Sequence, residues 1–188
     1  MLDSEGRKIR PFFTIGHSTR SVEELADLLQ AVGADRIVDV RKFPRSRANP
    51  QFNIDVLPEA LSERQIGYRH IAALGGLRGR ALEFATSPNP LWRNASFRNY
   101  ADYALTPPFR AGLAELIVEG RERTCAIMCA ELLWWRCHRR IITDYLLAEG
   151  EAVFHILSAQ DVTPAVLTPG AVLDSEGLLY RALPEPAS

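Results

Sequence analysis

The chain has 188 residues, 47% hydrophobic and 24% charged, with a formal net charge of −1. This is the composition of one globular domain with a sizeable core, and the near-zero charge excludes a global electrostatic pull toward nucleic acid or a membrane surface. Three cysteines without scaffold-like spacing argue against a disulfide framework and for a reducing, cytoplasmic setting. No run approaches the roughly 18 apolar residues of a membrane span, and the opening "MLDSEGRKIRPFF" lacks the apolar core of a secretory leader.

Taken in chain order, Phe12 to Ile15 form a short apolar run ended by Gly16, which predicts a buried first strand. In "SVEELADLLQAVGA", Ser21 followed by Glu24 is a capping-box pattern. Val22, Leu25, Leu28, Leu29 and Val32 mark one helical face, and Gly33 is a stop signal. Ile37 to Val40 predict a second strand running into the basic loop "RKFPRSR". A shorter helix is expected over Leu57–Gln65, then a third strand over Tyr68–Ile71. The stretch from Ala72 to Phe97 has the Gly, Pro and Asn density of a long loop. Two helices follow, divided at Pro107-Pro108. "TCAIMCA" predicts a fourth buried strand, "CHRRIITDYLLAEG" an amphipathic helix ended by Gly150, and "AVFHILS" a fifth strand. The remainder is punctuated by Pro and Gly and predicts a tail with one short strand near Leu178–Arg181.

Short apolar strands alternating with helices predict an α/β fold: a single domain with a mostly parallel five- or six-stranded sheet flanked by helices. The domain is expected over residues 1–158, with a C-terminal extension, 159–188, packing on it. A complete eight-stranded barrel needs about 250 residues, so an irregular or reduced β/α barrel is the second choice.

In such sheets, ligands bind beyond the carboxyl ends of the strands. His17, Ser18, Thr19 and Arg20 follow the first strand. Arg41, Lys42, Arg45, Ser46 and Arg47 follow the second, and Tyr68 and His70 lie in or beside the third. Cys129 and Glu131 end the fourth, with Cys137, His138 and Arg139 nearby, and His155 lies within the fifth. All four histidines and two of the three cysteines thus fall in strands or at their carboxyl ends, which predicts a shared site.

The stretches "TIGHSTR", "DVRKFPRSR", "QFN", "YRHIAALGG" and "CAELLWWRCHRR" resemble the domain of unknown function 488 family, over about residues 13–157. The resemblance implies a single α/β domain and no established activity. The Cys129-Ala130-Glu131 and Cys137-His138-Arg139 units match the family's signature. The intervening "LLWW" departs from the small or acidic residues of the family at unchanged spacing, which bears on the local loop shape.

The residues assign roles as follows. Cys129, Glu131, His138 and His17 are the candidates for chemistry: a thiol near a helix N-terminus and a guanidinium is activated, and a carboxylate or imidazole beside it serves as acid or base. Ser18, Arg20, Arg41, Arg45, Arg47, Tyr68 and Arg139 are the candidates for substrate binding, because twenty of the 22 basic residues are Arg and the planar guanidinium forks onto phosphate or carboxylate. Asp39, inside a strand, is expected to pair with a neighbouring donor, and Glu131 with Arg41 or Arg139. No metal ligand set and no cofactor is assigned. Two thiols and an imidazole are good zinc ligands, but adjacent Cys137 and His138 would not both face one ion from a helix. The first reading is an enzyme acting on an anionic substrate, phosphate-bearing among the options, such as a nucleotide or nucleic acid. The alternatives are a non-catalytic anion or nucleic-acid binding module and a Cys/His metalloprotein. The sequence is silent on oligomeric state.

Overall fold

The computed structural model describes residues 10–81, 83–175 and 177–183. Its elements in chain order are β1 (Phe12–Gly16), α1 (Val22–Ala31), β2 (Arg36–Asp39), α2 (Leu57–Ser62), β3 (Gly67–His70), α3 (Ala95–Ala104), α4 (Pro107–Glu122), β4 (Cys125–Cys129), α5 (Arg139–Ala148), β5 (Val153–Ser158), β6 (Asp161–Pro164), β7 (Ala171–Asp174) and β8 (Gly177–Tyr180).

Local chemistry accounts for most boundaries. The Ser21–Glu24 capping box forms in both directions, with the Glu24 N–H on Ser21 Oγ at 3.1 Å and the Ser21 N–H on Glu24 Oε2 at 2.7 Å. Pro107 and Pro108 occupy the first turn of α4, where a missing N–H costs nothing; they start that helix rather than merely separate two. α2 ends at Ser62, three residues short of the sequence expectation, because the chain turns there and Gln65 takes the left-handed conformation (φ 59°).

The sheet has the order β3-β2-β4-β1-β5-β6, with β1 to β5 parallel and β6 antiparallel to β5. It is open, with β3 and β6 at its edges, so the fold is the α/β sheet and not the reduced barrel. The tail carries more structure than one strand: β6 extends the sheet, and β7 and β8 form a hairpin. β8 lies where the single strand was expected. Its Leu178 and Tyr180 are fully buried, and Tyr180 Oη donates to Asp144 Oδ2 at 3.0 Å. Among the described residues, no helix is long and apolar enough to cross a membrane.

Alternation along the strands divides the core in two. Phe12, Val38, Val40, Cys125 and Ile127 pack with residues of α3, α4, α5 and β8 on one face. Phe13, Ile15, Ile37, Ala126 and Met128 pack with α1 and α2 on the other. Adjacent β1 and β4 therefore send their chains to opposite faces, β1 into α1 and β4 into α5. That divergence opens a crevice at their carboxyl ends, the usual ligand position in open α/β sheets.

The sheet interior holds a buried histidine. His155 of β5 pairs in register with Thr14 of β1 and stacks on Trp134, centroids 4.0 Å apart at 6°. Thr14 Oγ1 lies 2.8 Å from His155 Nδ1 and accepts from Arg139 Nη1 at 3.5 Å. Burial, reinforced by the Arg139 charge, lowers the His155 pKa from 6.5 to about 4. An unfolded His155 takes up a proton as pH falls through 6.5 while the folded one stays neutral until about 4. Its contribution to stability is thus complete above 6.5 and is lost between 6.5 and 4, by up to about 3 kcal/mol. Denaturant titrations of His155→Gln are expected to show a shallower loss of stability over that interval than the parent chain; parallel curves would contradict this assignment.

Candidate functional site at the carboxyl edge of the sheet

A cavity of about 670 Å³ opens at the ends of β1, β2 and β4. Its walls come from the loops after those strands, the Gly76-Leu77 turn, and the first turn of α3 with Tyr100 behind it.

Its floor is built on one buried guanidinium. Arg139, the first residue of α5, is 1% exposed. Its side chain does not point out from the helix N-terminus; it turns under the loop after β4. Nη2 donates to the carbonyl of Glu131 and, at 3.3 Å, to that of Leu132; Nη1 reaches Thr14, and Nε lies 3.4 Å from Cys137 Sγ. Arg139 thus fastens the 131–137 loop to the end of β1. The backbones meet so closely that a Cβ on Gly16 would stand 2.1 Å from the Glu131 carbonyl oxygen. The next residues continue the junction: the N–H groups of His17 and Ser18 donate to the carbonyls of Cys129 and Ala130, at 2.9 and 3.0 Å. Ser18 is held in the left-handed conformation (φ 49°), a backbone cost of order 1–3 kcal/mol that concentrates at functional sites.

A second buried guanidinium forms the side wall. Asp39 and Arg41 stand two apart at the end of β2, on the same side of the chain. Asp39 is completely buried and takes Arg41 Nε at 2.9 Å and Nη2 at 2.5 Å, the Arg41 N–H at 3.0 Å, and the Tyr68 hydroxyl at 2.6 Å. Arg41 Nη2 also donates to the Phe52 carbonyl at 2.6 Å, and Nη1 to His17 Nε2 at 3.3 Å. Burial works against the Arg41 charge, but the Asp39 carboxylate outweighs it and raises the pKa. His17 donates from Nδ1 to the Ser18 carbonyl at 2.9 Å and stacks on Phe52. Burial, partly opposed by the Ser18 bond and assisted by the Arg41 charge, takes its pKa down to about 4. His17 is therefore a neutral acceptor at physiological pH, with its lone pair committed to Arg41. Four of the five Arg41 N–H groups have partners in the protein, which leaves one Nη1 hydrogen for a ligand in the cavity.

The third group is sulfur and imidazole. Cys129 ends β4, and Cys137 precedes α5. Cys137 is extended (φ −123°, ψ 149°) and not helical, so its side chain and that of His138 converge. The geometric objection to a shared ion fails for that reason. The two sulfurs lie 4.0 and 3.6 Å from His138 Nδ1, and all three atoms lie within 4.8 Å of one another. His138 Nε2 donates to the Val40 carbonyl at 2.9 Å. The two thiols are pushed in opposite directions. For Cys129, the hydrogen bond to Cys137 and burial push the pKa well up. For Cys137, burial opposes ionisation, but the Cys129 hydrogen bond, His138 and Arg139 outweigh it and pull the pKa well down.

The structure brings together Cys129, Glu131, His138, His17, Ser18 and Arg41 on the cavity wall, with Arg139 directly beneath. Glu131 is exposed, and its carboxylate takes the Leu133 N–H at 3.3 Å; Arg139 binds its carbonyl instead of its side chain. Tyr68 acts through Asp39. Arg20 turns away, onto the carbonyls of Gly16 and Leu157. Arg45 pairs with Asp55 at 3.1 Å on the surface, and Arg47 is exposed; neither lines the cavity. Lys42, Cys137 and Gly76, which chain position gathers at the strand ends without giving them a role, line it, and so does Arg136, which the sequence reading left out. The signal for Cys137 was present in the Cys-His-Arg unit, and for Asp39 in its i, i+2 spacing from Arg41.

A family model described as domain of unknown function DUF488 matches residues 21–146, about two thirds of the chain. The chain belongs to the DUF488 family. The matched span takes in Asp39, Arg41, Cys129, Cys137, His138 and Arg139, and begins after His17 and Ser18. No curated protein and no solved structure matches the chain.

Because the Asp39–Arg41 pair is buried, removing one charge strands the other. Asp39→Asn is expected to lower stability in denaturant unfolding by about 3–5 kcal/mol; a change below about 1 kcal/mol would show that the pair does not hold the wall.

Proposed function

We propose that this chain is an enzyme that takes a small anionic substrate, of the phosphate or carboxylate class, into the cavity at the carboxyl edge of the sheet. The observation that carries the reading is the convergence of two thiols, an imidazole and a guanidinium N–H on one cavity, from the ends of β4 and β2, which are distant in sequence. A volume of about 670 Å³ is in the range of small-molecule sites. Cations exceed carboxylates around it: Lys42 and Arg136 stand at the rim and Arg139 beneath, against Glu131 alone, since Asp39 neutralises Arg41. Arg41 is locked by Asp39, Phe52 and His17, so its remaining N–H is preorganised to meet a substrate oxygen without reorganisation. Cys129, Cys137 and His138 form the reactive centre. His17 positions Arg41, and Ser18 shapes the turn. A reducing cytoplasm suits a chain whose cysteines, Cys125, Cys129 and Cys137, are all free thiols.

The binding-module alternative draws less support. It needs arginines available to phosphates, and Arg20, Arg41 and Arg139 are engaged with protein carbonyls, Asp39 and Cys137.

Phosphate and a nucleoside monophosphate, at millimolar concentration and constant ionic strength, are expected to slow alkylation of the Cys129–Cys137 pair by the neutral reagent iodoacetamide. The double variant Lys42→Gln/Arg136→Gln is expected to need about tenfold more anion for equal protection, since two exposed charge contacts are worth about 0.5–1 kcal/mol each. Alkylation rates that ignore both anions would sink the anionic-substrate reading.

A further inference from the structure

The grouping of Cys129, Cys137 and His138 is more specific than a set of reactive side chains requires. We propose that these three residues hold a divalent ion of the zinc class, with a fourth coordination position open to the cavity. The ion is the centre of the reactive group in the enzyme reading above, and it rests on that reading only for what fills the fourth position.

The distances carry the argument. Metal–sulfur bonds of about 2.3 Å and metal–nitrogen bonds of about 2.0 Å in a tetrahedron put sulfur and nitrogen about 3.6 Å apart. The observed separations from His138 Nδ1 are 3.6 Å to Cys137 and 4.0 Å to Cys129. The imidazole is in the ligating tautomer. Its Nε2 donates to the Val40 carbonyl at 2.9 Å, which leaves the lone pair on Nδ1, the nitrogen facing both sulfurs. A ring N–H fixed on a carbonyl is the usual support behind a metal-bound histidine. Tyr100 packs on the same ring at 5.0 Å, and its hydroxyl is tied to the Leu74 carbonyl at 2.6 Å. Gly76 closes the other side: a Cβ there would lie 2.8 Å from His138 Nδ1, so only glycine leaves that nitrogen open. Arg139 Nε, 3.4 Å from Cys137 Sγ, supplies an N–H to the sulfur from below.

The donor set selects the ion. Two sulfurs and one imidazole suit zinc and disfavour magnesium or calcium, which take oxygen ligands. Three protein ligands with a fourth position on a cavity is the pattern of a catalytic and not a structural zinc site. Both sulfurs bind as thiolates, any thiol proton going to solvent, and the two thiolates balance the dication. A substrate anion enters by displacing water from the fourth position, within the cavity wall that carries the Arg41 N–H.

The test uses the full chain, reduced, stripped with a chelator and kept anaerobic, and then titrated with cobalt(II). One equivalent is expected to produce the intense visible bands of a tetrahedral cobalt site with thiolate-to-cobalt charge transfer in the near ultraviolet, and zinc is expected to erase both. Cys129→Ser, Cys137→Ser and His138→Asn should each weaken binding at least about 100-fold, the upper end of what loss of a mere supporting group produces. Cys125→Ala, in β4 away from the cavity, should leave the titration unchanged. The parent spectrum decides the matter even if a variant fails to fold: no charge-transfer band, or a site that survives loss of both Cys129 and Cys137, overturns the proposal. The two readings fail separately. Anion protection of the Cys129–Cys137 pair without cobalt binding removes the metal and keeps the anion pocket. Cobalt binding whose bands ignore phosphate supports the metal and removes the anionic substrate.

Discussion

The structure of the site depends on where one charge is buried. Arg139 enters the chain at the N-terminus of α5, where the helix dipole disfavours a cation. It escapes that position by folding its side chain beneath the loop after β4, where carbonyls of residues 131 and 132, the Thr14 hydroxyl and the Cys137 sulfur receive it. A guanidinium taken from water must have its N–H groups paired, and only the observed path of residues 131–137 supplies those acceptors. The same contacts set Cys137 beside Cys129, present His138 to Val40, and reach through Thr14 to His155. Loop shape, sulfur placement and imidazole orientation are thus consequences of one desolvated cation.

The two buried arginines solve the same problem differently, and the difference organises the cavity. Arg41 is neutralised by a carboxylate that is itself fully satisfied, so it contributes geometry and one directed N–H more than net charge. Arg139 is received by carbonyls, a hydroxyl and a sulfur, so its charge persists in the low-dielectric floor. Sulfur is the natural counterpart to that charge. Burial, assisted by these arginine charges, makes His17 and His155 neutral groups and not proton carriers at physiological pH.

Much of this architecture was legible in the sequence. The five parallel strands, α1 with its cap and the break before α4 follow from apolar runs, a capping box and two prolines, which act locally. The hairpin of β7 and β8 was half legible: Leu178 and Tyr180 mark β8, but β7, with its exposed Val172 and Leu173, has no alternation to read. For the site, chain position after strand ends sufficed to gather Cys129, Glu131, His138, His17, Ser18 and Arg41. It did not distinguish arginines facing the cavity from those facing carbonyls. Arg20 meets Leu157, and Arg139 meets Thr14, across more than a hundred residues; such partners are set by sheet order, which no local pattern encodes. Cys137 was undervalued because a helical backbone was assumed at a position that is extended.

The account stands on Arg139 as the fastening of the 131–137 loop. Site-resolved amide hydrogen exchange on the parent chain and on Arg139→Lys, which keeps the charge and loses the fork, measures this directly. The predicted result is selective: amides of residues 132–138 exchange faster in the variant while those of the β1–β4 ladder keep their protection. Equal exchange of that loop in both proteins would contradict the account.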